Sequence, residues 1–213
     1  MNKLGVQTEY IISNSMNHIW NTVKIGGHWY QVDVTFDDPI RDKLGRVSHT
    51  YFLKSDAAMR SLGQSWSSSS VKCLSLKYNN AFWKTSKSEV IVRGKYYYYS
   101  KSNGTVVRRT ISSGSIKKLK LPDSKWYVRG NNGSYWNWQP TLAKGEKGIY
   151  VNNSTGVYKI SGSCKTRCIK KIKKSSKGYV YGITVINGKL KIAKARSPKS
   201  NEIERRYNMK GSY

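Results

Sequence analysis

A histidine and an aspartate, His18 and Asp33, bracket the string His-Ile-Trp-Asn-Thr-Val-Lys-Ile-Gly-Gly-His-Trp-Tyr-Gln-Val-Asp. An imidazole beside a cysteine takes its proton or holds it as thiolate. A carboxylate on the other ring nitrogen fixes the tautomer and the orientation of the ring. Such a pair suits the activation of a thiol nucleophile, and Trp20 could shield it from water. Gly26-Gly27 is the turn that would bring the two together, because both residues tolerate positive φ. Pairing strands Ile19–Ile25 and His28–Thr35 about that turn sets Ile25 opposite His28, Trp20 opposite Asp33 and His18 opposite Thr35. His18 and Asp33 then lie diagonally on one face. The other face carries Ile19, Val23, Ile25, Tyr30, Val32 and Val34, with Asn21 and His28 as polar exceptions, and reads as the core side. His28 is therefore expected to be structural.

The flanking elements are short. Val6 to Ser13 is β-prone. Asp37-Asp38-Pro39 is expected to end the second strand, since Pro cannot continue a ladder and Asp favours turns. Those two carboxylates alone make a poor cation site. Residues 40–50 read as loop, Tyr51 to Leu53 as a short apolar run, and Ser55-Asp56 as the cap of a helix reaching Arg60. Ser65 to Ser70 is linker-like.

His-x-Trp-Asn-x-Val, then Gly-Gly-x-Trp-Tyr-x-Val-Asp-x-Thr-Phe-Asp-Asp-Pro, then Tyr51-Phe-Leu-Lys-Ser-Asp56, together resemble the bacterial transglutaminase-like superfamily. The resemblance covers about a quarter of the chain. It implies a papain-like α+β sheet and a Cys-His-Asp triad, with His18 as general base, Asp33 as orienter and no cofactor. It further implies a protein or peptide substrate attacked at an amide bond, by hydrolysis or acyl transfer, in an extracellular or cell-surface setting. In that family the cysteine lies upstream, on a helix that runs into this sheet. Leu4-Gly5-Val6 matches the end of that helix, which places Met1 inside the catalytic domain. No cysteine precedes His18. The expectation is the C-terminal part of a catalytic domain, inactive as this chain and poorly stable over its first sixty or so residues. Cys73 comes in the wrong order for the nucleophile and reads as a plain thiol.

The remainder differs in composition. Residues 1–70 carry seven Lys/Arg and six Asp/Glu, whereas residues 71–213 carry thirty-two and five. Such asymmetry marks two regions with different duties. The basic region also holds four strand–turn–strand strings, with turns at Asn103-Gly104, Asn132-Gly133, Thr155-Gly156 and Asn187-Gly188. Serial hairpins of this kind predict an all-β region. The fold expected for the whole is mainly β: a partial transglutaminase-like (α+β, papain-like) sheet over 1–64, a linker over 65–78, a basic, aromatic-rich hairpin repeat with propeller-like character over 79–198, and a polar tail over 199–213.

Cations and aromatics alternating on strands make an anionic cell-surface polymer a candidate partner of the basic region. Tyr97, Arg108, Arg109, Trp126, Trp136, Lys170 and Lys171 are the residues expected to hold it. Nucleic acid ranks lower, because no helix-turn-helix, zinc or ribonucleoprotein pattern appears. Three cysteines make no disulfide framework, and Cys164 and Cys168 alone are a weak metal signal, so no metal is expected. No stretch approaches the ~18 apolar residues of a membrane-crossing helix. The first ten residues lack the apolar core of a signal peptide.

Overall fold

The computed structural model describes residues 4–38, 45–86, 88–101, 103–121, 127–129, 135–137, 140–171, 179–195 and 205–208. Its elements fall into two units, Met1–Ile40 with Ser48–Lys84, and Arg41–Val47 with Thr85–Tyr213. The fold is mainly β, and among the described residues no sheet closes into a barrel.

The first unit is built on the Gly26-Gly27 hairpin, whose two glycines take φ of 57° and 81°. Strand β1 (Thr8–Ser13), β2 (His18–Ile25), β3 (His28–Val32) and β4 (Phe52–Lys54) form one antiparallel sheet in chain order. Ile25 stands opposite His28 and Val23 opposite Tyr30, the register expected from the turn. The ladder ends earlier than expected. Past Val32 the chain turns into a short helix, α1 (Val34–Asp37), capped by Asp33, whose Oδ1 accepts from the Phe36 amide. A capping carboxylate offers the backbone an alternative to the ladder. The pairs Trp20–Asp33 and His18–Thr35 are therefore not formed, and Thr35 is helical. Helix α2 (Asp56–Ser61) begins where expected, with Ser55 Oγ accepting from the Ala58 amide.

Both faces of this sheet are partly covered, which corrects the expected division into core and functional sides. On one face Ile11 and Trp20 pack with Met59, Trp66 and Tyr51. On the other, Val23, Tyr30 and Val32 pack with Leu53, Val6, Tyr78 and Trp83. Ile19 (60% exposed), Ile25 and Val34 (62%), all expected in the core, face outward, and so does His28. Cover over the second face reaches its β3 side, so parity alone does not decide burial. The expected linker over 65–78 belongs to this unit. Trp66 and Cys73 are buried, and Cys73 is tied to α2 through Asp56 N–H to Cys73 O (2.8 Å) and Cys73 N–H to Asp56 Oδ2 (3.1 Å).

The second unit is a series of antiparallel meanders. Strands β5 (Ile91–Arg93), β6 (Tyr96–Ser100), β7 (Val106–Thr110) and β8 (Ile116–Lys118) make the first. A two-stranded ladder of β9 (Tyr127–Arg129) and β10 (Tyr135–Asn137) follows. Next come β11 (Leu142–Gly145), β12 (Gly148–Asn153), β13 (Gly156–Ile160) and β14 (Thr166–Lys171). The last comprises β15 (Tyr179–Ile186), β16 (Lys189–Ala195) and β17 (Arg205–Asn208). Asn103-Gly104 and Asn187-Gly188 are the expected turns, with Asn187 and Gly188 at φ of 50° and 67°. The third turn is one residue early: Asn153 pairs with Gly156, leaving Ser154-Thr155 at the tip. Asn132-Gly133 lies outside the described residues. The expected tail contributes β17, whose backbone pairs with the otherwise open edge of β16.

Alternation along β12 explains how these meanders stack. Ile149 and Val151 join Leu142, Tyr158 and Ile160 against Ile91, Tyr98 and Val106 of the first meander. Tyr150, with Ala143 and Val157, joins Val180, Ile183, Leu190 and Ile192 of the last. The sheet is thus covered on both faces around β12, which is buried along its whole length, while β14 at its edge is largely exposed. Among the described residues no helix is long and apolar enough to cross a membrane.

Candidate active site

The site lies where β2 begins and β3 ends. His18 opens β2, Asp33 follows β3, and the register of the hairpin brings their side chains together: His18 Nε2 is 2.8 Å from Asp33 Oδ2. A carboxylate only accepts, so this bond requires the ring proton on Nε2 and leaves the Nδ1 lone pair as the basic atom. His18 is held between two rings, stacked on Trp20 (5.5 Å between centroids) and edge-on to Phe36 (5.0 Å). Its side chain is 14% exposed, while that of Asp33 is 1% exposed.

Asp33 is fully engaged. Oδ2 also accepts from Gln64 Nε2 (2.9 Å), and Oδ1 takes the Phe36 amide (3.1 Å). Three donors hold the carboxylate in place, as a buried charge requires. The same residue caps α1 and orients His18, so one side chain sets both the path of the chain and the pose of the ring. Gln64 and Phe36 were not singled out from the sequence. Gln64 lies 31 residues beyond Asp33, after α2, and no local pattern ties it to the hairpin. Its Oε1 is buried with no hydrogen-bond partner. Trp20 is tied to β3 by its indole. Its Nε1 donates to Gln31 Oε1 (2.6 Å), and Gln31 Nε2 donates to Asp56 Oδ1 (2.6 Å), a buried polar chain linking the sheet to α2.

Cys73 does not supply a nucleophile. It is buried, and its thiol is pushed up to about 12, chiefly by burial and further by Asp56, which also holds it by a hydrogen bond. Such a thiol stays protonated at neutral pH, and thiolate is the reactive form. Cys164 is buried and Cys168 exposed, both free, and both belong to the second unit.

Among the described residues expected to hold a polymer, the structure gathers no single surface. Arg108 pairs across the ladder with Tyr98, and Arg109 with Tyr97, so the two arginines project to opposite faces of their sheet. Arg108 lies 4.0 Å over the Tyr96 ring and donates to Gly162 O (2.8 Å). Arg109 packs beside Gly114. Lys170 and Lys171 are exposed on β14, a separate sheet. Trp126 lies outside the described residues, and Trp136 is placed only by its backbone pairing with Val128.

No protein-family model and no curated protein matches the chain. Among solved structures the chain is similar to PorZ of Porphyromonas gingivalis, described as an essential bacterial surface component of the type IX secretion system. The TM-score is 0.33 and the identity 14%, over 81% of this chain and 22% of that one. The chain thus spans about a fifth of PorZ, and a likeness of this size carries no argument.

Proposed function

We propose that the first unit is the base-and-orienter half of a transglutaminase-like thiol site that acts on amide bonds. The observation that carries the reading is the 2.8 Å His18 Nε2–Asp33 Oδ2 bond, with the carboxylate buried and Nδ1 left as the base. In the reaction so read, Nδ1 takes the proton of a cysteine thiol, the thiolate attacks the amide carbon, and the imidazolium returns the proton to the leaving amine. Asp33 stabilises the imidazolium and keeps the ring turned. The bare Gln64 Oε1 beside Asp33 supports the reading, since an acceptor of that kind suits a donor arriving on a partner segment. The second unit is read as stacked, propeller-like meanders that accompany the site.

No cysteine of this sequence precedes His18, and Cys73 is turned to Asp56. The first unit by itself therefore holds no competent nucleophile, and neither amide hydrolysis nor amine incorporation should exceed background. Turnover that disappears in His18→Ala and survives in Cys73→Ala would overturn this. The tautomer is an independent check. Nitrogen NMR of labelled protein should find His18 protonated at Nε2, and Asp33→Asn should abolish that preference. A proton on Nδ1 in the unaltered chain would block the basic atom and end the proposal.

A further inference from the structure

Three cations from three elements of the second unit line one cavity, and no acid is among its described lining residues, though Glu146 neighbours Lys147 in the turn. Arg93 ends β5, Lys147 lies in the β11–β12 turn, and Lys159 is on β13; together they line a space of about 390 Å³. That volume is in the range of small-molecule sites, ~300–1,000 Å³. Tyr98 and Ser161 add hydroxyl groups to the wall, and Ile149 and Ile160 give it an apolar part. None of the three cations has an ion pair or hydrogen bond among the described residues.

Gly148 allows the convergence. A Cβ there would stand 2.8 Å from Lys159 Cε and 3.5 Å from Arg93 Nη1, and its φ of 151° is one that side-chain-bearing residues rarely adopt. Both cationic side chains therefore crowd the same bare stretch of backbone. Like charges brought together in a partly enclosed space repel, and a bound anion removes the repulsion. The wall is also held in place: Arg108 donates to the carbonyl of Gly162, which lines the cavity. A single carboxylate, with two oxygens, does not satisfy three separated cations. A phosphoryl group, with three anionic or strongly accepting oxygens, does.

We propose that this cavity binds a phosphate ester, its phosphoryl group among Arg93, Lys147 and Lys159 and its organic part against Ile149 and Ile160. The site is separate from the His18–Asp33 reading and does not depend on it. Isothermal titration of the full chain at 150 mM salt tests it, with glucose 1-phosphate, a poly(glycerol phosphate) chain, glucose and glucuronate as probes. Glucose 1-phosphate should bind, and glucose should not. Arg93→Gln and Lys159→Gln should each weaken binding tenfold or more, with unchanged far-ultraviolet circular dichroism. Lys117→Gln/Lys118→Gln, which removes two exposed charges on β8, elsewhere in the same unit, should change it less than twofold. Binding of glucose 1-phosphate supports the monoester; binding of the polymer alone, whose diester has two free oxygens per phosphorus, would overturn the proposal. Equal loss in the Lys117/Lys118 variant would mean diffuse charge attraction and overturn the proposal. So would equal affinity for glucuronate, or no binding of either phosphate probe.

Discussion

Burial displaces the charge states of three side chains of the first unit, Lys54, Cys73 and Lys84, and the last two give measurable consequences. Lys84 donates its Nζ–H to the Phe52 carbonyl. Its pKa is lowered to about 7, first by burial and then by Lys54, against a smaller opposing pull from Asp37. An unfolded chain keeps the lysine proton up to the ordinary value of 10.5. Between pH 7 and 10.5 the unfolded state thus binds more protons, and stability rises with pH across that window. Below pH 7 both states are protonated and the penalty is fully present. Denaturant unfolding from pH 6.5 to 10 should show a midpoint that climbs, and Lys84→Met should flatten the climb; an unchanged slope in the variant would refute the assignment. Cys73 is displaced the other way, to about 12. With Cys164 also buried, a thiol reagent at pH 8 should modify Cys168 alone in the folded chain and all three cysteines in denaturant. Rapid modification of Cys73 in the folded protein would return it to the list of candidate nucleophiles.

At the scale of elements, what could be read from the sequence was what neighbouring residues decide. Gly26-Gly27 set the register of β2 on β3, Asn187-Gly188 set that of β15 on β16, and Ser55 announced α2. The His18–Asp33 contact follows from that register even though the ladder stops at Val32. What distant residues decide could not be read in this way. Trp20 lies inside because Met59 and Trp66 cover it, and Ile19, with the same hydrophobicity as a core residue, lies outside. Nothing between Ser65 and Ser70 except Trp66 itself signals a core contribution. Trp66 meets the Trp20 ring edge-on (5.8 Å) and carries Arg60 over its face (3.9 Å). Its removal leaves a large cavity, and Trp66→Ala should cost about 3–5 kcal/mol, a large share of the ~5–15 kcal/mol that holds a typical domain. A chain ending at Lys84 retains Trp66, Cys73, Tyr78 and Trp83, whereas one ending at Gln64 loses all four. Only the longer fragment should melt cooperatively when followed by near-ultraviolet circular dichroism. Cooperative melting of the shorter fragment would show that the 65–84 segment is dispensable.

Over the whole molecule the charge follows the structural division. The first unit carries seven Lys/Arg against five Asp/Glu, and the second thirty-two against six. Unlike the hairpin or the caps, this imbalance says little about fold: it acts as a field over many residues. The meanders of the second unit form because apolar alternation along β12 and its neighbours outweighs that repulsion. The opposing term is nevertheless large enough to matter when it is unscreened. The Debye length shrinks from ~30 Å at 0.01 M salt to ~8 Å at 0.15 M, so most pairs of like charges on the second unit interact at the first concentration and few do at the second. Amide hydrogen exchange reports the opening of each unit separately. Raising sodium chloride from 10 to 150 mM should slow exchange in β5–β7 and β11–β16 by roughly tenfold, which corresponds to about 1.4 kcal/mol. Exchange in β1–β3, where the charges nearly balance, should change little. An equal response in both units would mean that general salt effects, rather than self-repulsion in the second unit, govern the stability of the chain.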